Sequence, residues 1–374
     1  MGQMSNEAEI EELAREVGFD LVGFAPLRPP RGATQFQAWL DAGHQADMGW
    51  FEKQKDRILD PRGILKEGKS LLVLGLGHAR PAVRLEGGGK VARYAAGRDY
   101  HNVVGRMLKK LARKLSDRGF LEASRGIVDA GPLMERSHAA EAGLGFESKS
   151  ANLLNRHFGP WFFLAELILD REHAPTESPS LGSCGTCTAC IDACPTQAIV
   201  EPGVVDSRLC ISYHTIENRG EIPRELRAKL DGWLFGCDIC SEVCPFGSQA
   251  GGGEERFGTH EAVRGNRLID WLQSTHQAPD IALQGSPLQR AKRVGLARNA
   301  ALALAESASE EGRAALLGAL AEDESPIVRE AAGWSLAAAH ADDAGTKAAL
   351  DAALSRAELP SERKGLADSR SQLE

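Results

Sequence analysis

The sequence predicts an α+β multidomain fold, and three observations carry that prediction. Strand-length apolar runs alternate with helix-period segments over residues 1–175. Eight cysteines are confined to residues 184–244. The residues beyond about 281 are rich in Ala and Leu and repeat themselves. Alternating strands and helices define an α/β or α+β layer, and a helical array needs a separate core.

The elements follow in order. Residues 7–17 have the period of an amphipathic helix, and residues 20–25 (DLVGFA) read as a strand. Residues 70–76 (SLLVLGL) are apolar almost throughout, as in a strand covered on both faces. Residues 103–115 read as a helix with Val104, Met107, Leu108, Leu111 and Leu115 on one stripe and bases opposite. Residues 126–130 (GIVDA) read as a strand, and 132–142 as a helix with Pro132 in its first turn. Residues 161–169 (WFFLAELIL) form a further strand. Pro, Ser and Gly make 173–182 a linker, and GSQAGGG closes the cysteine region at 247–253. In the tail, RNAA at 298–301 resembles REAA at 329–332, and RAAL at 313–316 resembles KAAL at 347–350. That is the pattern of two-helix repeats of the HEAT kind, too few to stand alone as a solenoid. The expected domains are 1–175, 176–250 and 251–374.

Of the 374 residues 43% are apolar, enough for real cores. No apolar run approaches the roughly eighteen residues of a membrane span. The N-terminus is acidic and helical, without the basic start and apolar middle of a secretory signal, and Asn6 stands where myristoylation needs Ser or Thr. The expected location is the cytoplasm, where clustered cysteines serve as metal ligands more often than as disulfides. The net charge of −8 is uneven, because residues 306–374 hold fourteen acids and seven bases. Residues 90–118 hold nine bases against two acids, and 281–305 hold Arg290, Lys292, Arg293 and Arg298, with Asn299 following, and no acid. Such local positive charge suits a phosphate backbone even on an acidic protein, although a solvated helix face explains one stretch as well.

The cysteines run Cys184-x2-Cys187-x2-Cys190-x3-Cys194-Pro, then Cys210, then Cys237-x2-Cys240-x3-Cys244-Pro. Three closely spaced thiolates on one loop hold three corners of a cubane, and the fourth comes from elsewhere. In two-cluster ferredoxins the last cysteine of each run crosses to the other cluster. One [4Fe–4S] cluster then takes Cys184, Cys187, Cys190 and Cys244, and the other takes Cys194, Cys210, Cys237 and Cys240. Structural zinc is the rival, but zinc prefers two separated Cys-x2-Cys pairs. An insertion of 26 residues separates Cys210 from Cys237. It is expected to lie over the second cluster.

A pair of clusters serves an electron carrier, a redox-marked scaffold, or an enzyme with a second cofactor. The order of α/β domain, dicluster segment with a displaced fifth cysteine, and helical tail resembles epoxyqueuosine reductase, a cobalamin-dependent iron–sulfur family of tRNA modification. The matching stretches are KDRILDP at 55–61, AGRDYH at 96–101, VDAG at 128–131 leading to Glu135–Arg136, GLGFESK at 143–149, CISY at 210–213, LFGCDIC at 234–240 and residues 289–305.

The resemblance implies a cobalamin-binding N-terminal domain and reduction of epoxyqueuosine to queuosine at the tRNA wobble position. It also implies that Asp129 is the proton donor, for which a dry pocket should raise its pKa. The implied cobalamin contacts are Arg57, Ala92, Asp129, Met134, Leu153, Leu164, Ser212 and Asp238. His101 is read as a pocket residue and not a cobalt ligand. Arg290, Lys292, Arg293, Arg298 and Asn299 become the expected anticodon-stem contacts, with Tyr213, Trp233 and Phe235 as bases' stacking partners or core. The expected partners are tRNA and an external donor such as a flavodoxin or ferredoxin reductase system, with the chain a monomer. The alternatives are a reductive dehalogenase-like reductase of a small molecule, which carries an export signal and no helical tail, and a dicluster electron carrier.

Overall fold

The computed structural model describes residues 5–177, 182–248, 254–274 and 281–374. Parts of the expected linker at 173–182 and of the flexible stretch at 247–253 lie outside them. The chain forms two compact units that are not consecutive in sequence. One comprises Met1–Arg80, Arg98–Arg208 and Ile239–Gly258, and the other Pro81–Gly97, Leu209–Asp238 and Thr259–Glu374.

The strands are β1 (Leu21–Pro26), β2 (Ser70–Gly77), β3 (Val83–Arg84), β4 (Lys90–Val91), β5 (Ser124–Ile127), β6 (Phe146–Glu147), β7 (Leu153–Leu154), β8 (Phe162–Leu169), β9 (Ile199–Glu201), β10 (Val204–Val205) and β11 (Trp233–Phe235). The helices are α1 (Asn6–Val17), α2 (Ala33–Asp41), α3 (Trp50–Leu59), α4 (Tyr100–Asp117), α5 (Glu135–Glu141), α6 (Ala189–Ala193), α7 (Ile211–Ile216), α8 (Arg224–Arg227), α9 (Ile239–Glu242), α10 (Pro245–Ser248), α11 (Leu268–Gln273), α12 (Lys292–Leu304), α13 (Glu310–Glu322), α14 (Pro326–Ala339), α15 (Ala344–Arg356) and α16 (Pro360–Ser371).

In the first unit β1, β2, β8 and β5 form an antiparallel sheet in the order β1-β2-β8-β5. The central strand β2 is buried along its whole length, which is why its sequence is apolar without alternation. Leu71 and Val73 face a core cluster with Ile127, Ile168, Ala139 of α5 and its C-cap Ala142. Leu72 and Leu74 point to the opposite face, as the two-residue period of a strand requires. There α1 and α4 pack on the sheet. The stripe of α4 is Val103, Val104, Leu108, Leu111 and Leu115, while Met107 is only half-buried. Arg106, Lys109, Lys110 and Arg113 stay exposed on its other face. Helix α5 comes so close to β1 that a Cβ at Gly23 would lie 2.2 Å from the Ala142 carbonyl oxygen.

In the second unit β3, β4 and β11 form a small sheet, with β11 parallel to β4 and β3 antiparallel to it. The repeated RNAA and REAA fall on α12 and α14, and RAAL and KAAL on α13 and α15, so the self-similarity is one of helix pairs. Ser309 and Asp343 cap α13 and α15, and Pro326 and Pro360 occupy first turns, which explains where these helices start. From Gly295 to Leu304, α12 is buried on every side.

Candidate active site and cluster ligands

Strand β5 ends at Ile127, two residues before Asp129, so Asp129 lies in the turn that follows and not in the strand itself. Its φ is +55°, a left-handed conformation that Asp tolerates better than most side chains. The turn does not cap α5, which begins only at Glu135. Instead Glu135 reaches back, its Oε1 accepting the Asp129 backbone N–H at 2.9 Å. The Asp129 side chain is 60% exposed and opens on one side to solvent.

Helix α4 brings the partners. Asp99 is its N-cap and accepts from the His101 backbone N–H at 3.0 Å. The same carboxylate oxygen meets His101 Nδ1 at 2.8 Å, and His101 Nε2 lies 3.6 Å from Asp129 Oδ2. Tyr100 donates its hydroxyl to Asp129 Oδ2. Its ring is stacked between His101 at 4.1 Å and Phe163 of β8 at 4.3 Å. His101 thus sits between two carboxylates. Hydrogen bonds to Asp129 and Asp99 raise its pKa from 6.5 to about 9, offsetting burial and a position at a helix N-terminus that disfavours a cation.

Asp129 departs from expectation. Burial pushes its carboxyl up, but hydrogen bonds from His101 and Tyr100, with the charges of His101 and Arg136, together bring it below the usual aspartate value. The expected raised pKa is therefore corrected. At neutral pH the pair holds its proton on His101, with Asp129 ionised. Glu135 goes the other way: burial, then the charges of Glu166 and Asp129, push it well up and favour its neutral form. Glu166, fully buried on β8, meets the equally buried His138 Nδ1 at 3.2 Å. Tyr100 and Asp99 carry no assigned role in the sequence analysis although both stand in AGRDYH. The signal available was three polar side chains in succession at a helix start.

None of the eight cysteines is in a disulfide. In the first unit the Cys190 thiol is raised by burial, then by Cys184 and Cys244, so these three lie within electrostatic reach of one another. Lys149 ties down their loop. Its backbone N–H points to Cys184 Sγ at 3.4 Å, and its Nζ donates to the carbonyls of Gly185 (2.8 Å) and Cys187 (2.9 Å). The Ala198 N–H donates to Cys194 Sγ at 3.3 Å, and Asn152 Nδ2 lies 3.8 Å from Cys240 Sγ. Such N–H···S contacts stabilise thiolates and tune a cluster. In the second unit Cys210 is the N-cap of α7, and Cys237 follows β11 and Gly236. Among the described residues no three His, Cys, Asp or Glu side chains close around a point as ligands of one metal ion do. A cubane asks for something wider, one thiolate on each iron.

The remaining expected contacts are scattered. Arg57 is exposed in the last turn of α3, and Met134 is half-buried just before α5. Leu164 packs, partly buried, on the core cluster that contains Ile127. Leu153 is buried in that cluster, and Ala92 is buried with its N–H given to Phe235 and its carbonyl to Ala95. Both side chains are turned into the interior. Ser212 is half-buried on α7. Asp238 is buried and accepts the Arg93 N–H at 2.7 Å. Two expected RNA contacts are also corrected. Arg298 and Asn299 are 2% and 1% exposed, and their polar atoms serve main-chain carbonyls of the 211–236 insertion. Burial lowers the Arg298 pKa to about 9, which still leaves it charged at neutral pH. Arg293 is held by Asp323 at 2.7 Å. Arg290 is exposed and paired with Glu217 at 2.9 Å, and Lys292 is exposed. Tyr213, Trp233 and Phe235 are interior.

A mixed α+β fold that carries both a dicluster cysteine array and an acid–imidazole site defines an iron–sulfur oxidoreductase. Residues 183–247 match the family model of a 4Fe-4S double cluster binding domain, and residues 59–130 match that of "Epoxyqueuosine reductase QueG, DUF1730". An epoxyqueuosine reductase of Cellulophaga algicola is 39% identical over 268 residues, 71% of this chain and 87% of the relative. One from Synechococcus sp. is 39% identical over 313 residues, 79% of this chain and 93% of its own. An epoxyqueuosine reductase crystallised with an epoxyqueuosine-modified tyrosine tRNA stem loop superposes with a TM-score of 0.87 at 25% identity, covering 98% of both chains. The Bacillus subtilis enzyme, in a structure whose aspartate catalytic loop is swung out of the active site, gives 0.86 at 25% identity with 98% of each chain covered. The chain belongs to the epoxyqueuosine reductase family. No helix among its described residues is long and apolar enough to cross a membrane.

Proposed function

We propose that the chain reduces epoxyqueuosine to queuosine at the wobble position of tRNA, with Asp129 delivering a proton to the departing epoxide oxygen. Two electrons and two protons convert the epoxide to an alkene and release its oxygen as water. The supporting observation is the proton-bearing array Asp99–His101–Asp129 with Tyr100, in which an exposed carboxylate is backed by a charged imidazole. Opening the ring develops negative charge on oxygen, and a general acid in hydrogen-bond reach lowers that barrier. Asp129 is the exposed end of the array, its Oδ2 facing both Tyr100 and His101 Nε2, and His101 holds the proton in reserve. Tyr100 fixes the orientation of the carboxylate. Glu135, by holding the Asp129 backbone, keeps the turn in its left-handed form. The Bacillus subtilis structure, with its aspartate loop swung out, supports reading this turn as a movable catalytic loop.

The residues present fit the cofactors the family implies. Cys184, Cys187, Cys190 and Cys244 would hold one [4Fe–4S] cluster, and Cys194, Cys210, Cys237 and Cys240 the other, following the cysteine order. A cobalamin beside Asp129 would draw no cobalt ligand from His101, since both of its nitrogens face carboxylates, and partly buried Leu133 and Leu164 of the same unit would offer apolar surface. Arg57, Met134, Leu164 and Ser212 are its candidate contacts. When bound, the clusters supply single electrons and the corrin supplies a low-valent, nucleophilic metal. The helix pairs, as HEAT-like repeats, grip the anticodon stem through phosphate contacts, for which exposed Arg290 and Lys292 are candidates. An external flavodoxin- or ferredoxin-type donor, a cytoplasmic setting and a monomeric state complete the reading.

An anaerobic assay on epoxyqueuosine-containing tRNA tests it. Asp129→Asn is expected to abolish queuosine formation while retaining iron. Full activity of that variant rejects the assignment.

A further inference from the structure

A small two-cluster ferredoxin holds its fifth and sixth cysteines together through a short spacing. Here 26 residues intervene between Cys210 and Cys237, and a loop of that length does not fix its own ends. Something else must hold them, and the helical repeats supply it.

The contacts all lie within the second unit. Arg298 on α12 donates to the carbonyls of His214, Asn218 (3.0 Å) and Gly220 (2.5 Å), all in the insertion. It also donates to its neighbour, Asn299 Oδ1 (2.8 Å). Asn299 Nδ2 donates to the carbonyls of Thr215 (2.9 Å) and Leu234 (2.8 Å). Thr215, wholly buried, joins the two ligand segments. Its Oγ1 donates to the carbonyl of Ile211, next to Cys210, at 2.8 Å, and accepts from the N–H of Gly236, next to Cys237, at 3.0 Å. Gly236 has φ +72°, and a Cβ there would lie 2.5 Å from the Ala92 side chain, so this link admits little else. The next repeat holds the middle of the same insertion. Glu330 stands in REAA where Asn299 stands in RNAA. It is 1% exposed and binds Arg227 of α8 through both oxygens, at 2.9 and 2.8 Å. A guanidinium takes three carbonyls at once because its donors are fixed in a plane.

We infer that Arg298, Asn299 and Glu330 are positioning residues of the second cluster, replacing from the helical repeats the short spacing that would otherwise hold Cys210 and Cys237 together. The inference rests on the cluster assignment proposed above and deepens it. The same position in two repeats, turned inward, makes the tail part of the redox module as well as a nucleic-acid grip.

The test uses the full chain, reconstituted anaerobically with iron and sulfide. Iron, labile sulfide and the paramagnetic resonance of the reduced clusters are read for wild type, Arg298→Met, Arg298→Lys, Asn299→Leu and Thr215→Val. Arg313→Ala, on the outer helix α13, serves as control. The uncharged Arg298 variant, Asn299→Leu and Thr215→Val are expected to lose about half the iron and one of two cluster signals. Arg298→Lys should restore part of both, and the control should keep full iron. Should Arg298→Met not fold, Thr215→Val decides, since it alters one buried hydroxyl. Full iron with both signals unchanged in Thr215→Val and Asn299→Leu overturns the inference. Wild-type protein that takes up no iron overturns the cluster assignment itself, a result told apart because no variant is needed to see it.

Discussion

Replacing His101 by Gln tests the proton reserve. With a pKa of about 9, His101 carries its proton in all but about 1% of molecules at pH 7. Gln keeps a polar side chain between Asp99 and Asp129 but holds no exchangeable charge. Asp129 then has only its own carboxyl, which burial pushes up once the His101 hydrogen bond and charge are gone but which remains the weaker proton store at pH 7. The supply of transferable protons falls, by at most about a thousandfold, the figure for an ordinary aspartate of pKa about 3.9. General acid catalysis contributes about 10²–10⁴, so that fall can be expressed in the rate. The assay is single-turnover reduction of an epoxyqueuosine stem loop by pre-reduced enzyme, from pH 5 to 10. The wild-type rate should be level from about pH 6 to 8 and decline above about 9. His101→Gln should be slower by about 10²–10³ at pH 7 and gain about tenfold for each unit of acidification. A variant rate within about threefold of wild type, with the same profile, refutes the reserve.

The remaining predictions concern the surrounding structure. Tyr100→Phe removes a hydrogen bond to a charged group, worth about 1.5–3 kcal/mol, so kcat should fall by about 10- to 100-fold with iron content unchanged; an unaltered kcat speaks against its orienting role. Since His101 has a raised folded-state pKa, the stability it adds is complete below about pH 6.5 and disappears as pH rises through about 9. Denaturation midpoints of wild type and His101→Gln should therefore converge across that window, and a gap that widens toward alkaline pH contradicts the pairing. Glu330→Ala strands Arg227 in the interior, and denaturant unfolding should show a loss of about 3–5 kcal/mol, against less than about 1 if the pair were solvated. Cys187→Ala should halve the bound iron, and retention of all of it removes Cys187 from the ligand set.

Much of this was legible in the residues. The apolar runs at 70–76 and 161–169 became β2 and β8 because strands covered on both faces need no alternation. Cysteine spacing led to the double-cluster domain because a cubane leaves little freedom in ligand order. Other features depend on what packs where. Arg298 read as a phosphate contact, since a base in a stretch without acids looks the same whether it faces water or a row of carbonyls. The warning lay in its neighbours, for GLARNAALAL offers no polar face on which an exposed arginine could sit. The two compact units interleave segments far apart in sequence, and no local period encodes that. The apolar run GIVDA puts Asp129 at the end of a strand, and the family resemblance puts it in a dry pocket. The ladder stops at Ile127, and the lowered pKa comes from Tyr100 and His101, residues 29 and 28 positions earlier that only the packing of α4 brings alongside.

The central claim is that this chain removes the epoxide oxygen of epoxyqueuosine with a proton from Asp129. Mass spectrometry of the wobble nucleoside after one anaerobic turnover measures it directly. Wild type should yield the nucleoside lighter by one oxygen, while Asp129→Asn, with full iron, leaves it intact. Equal conversion by both proteins contradicts the account.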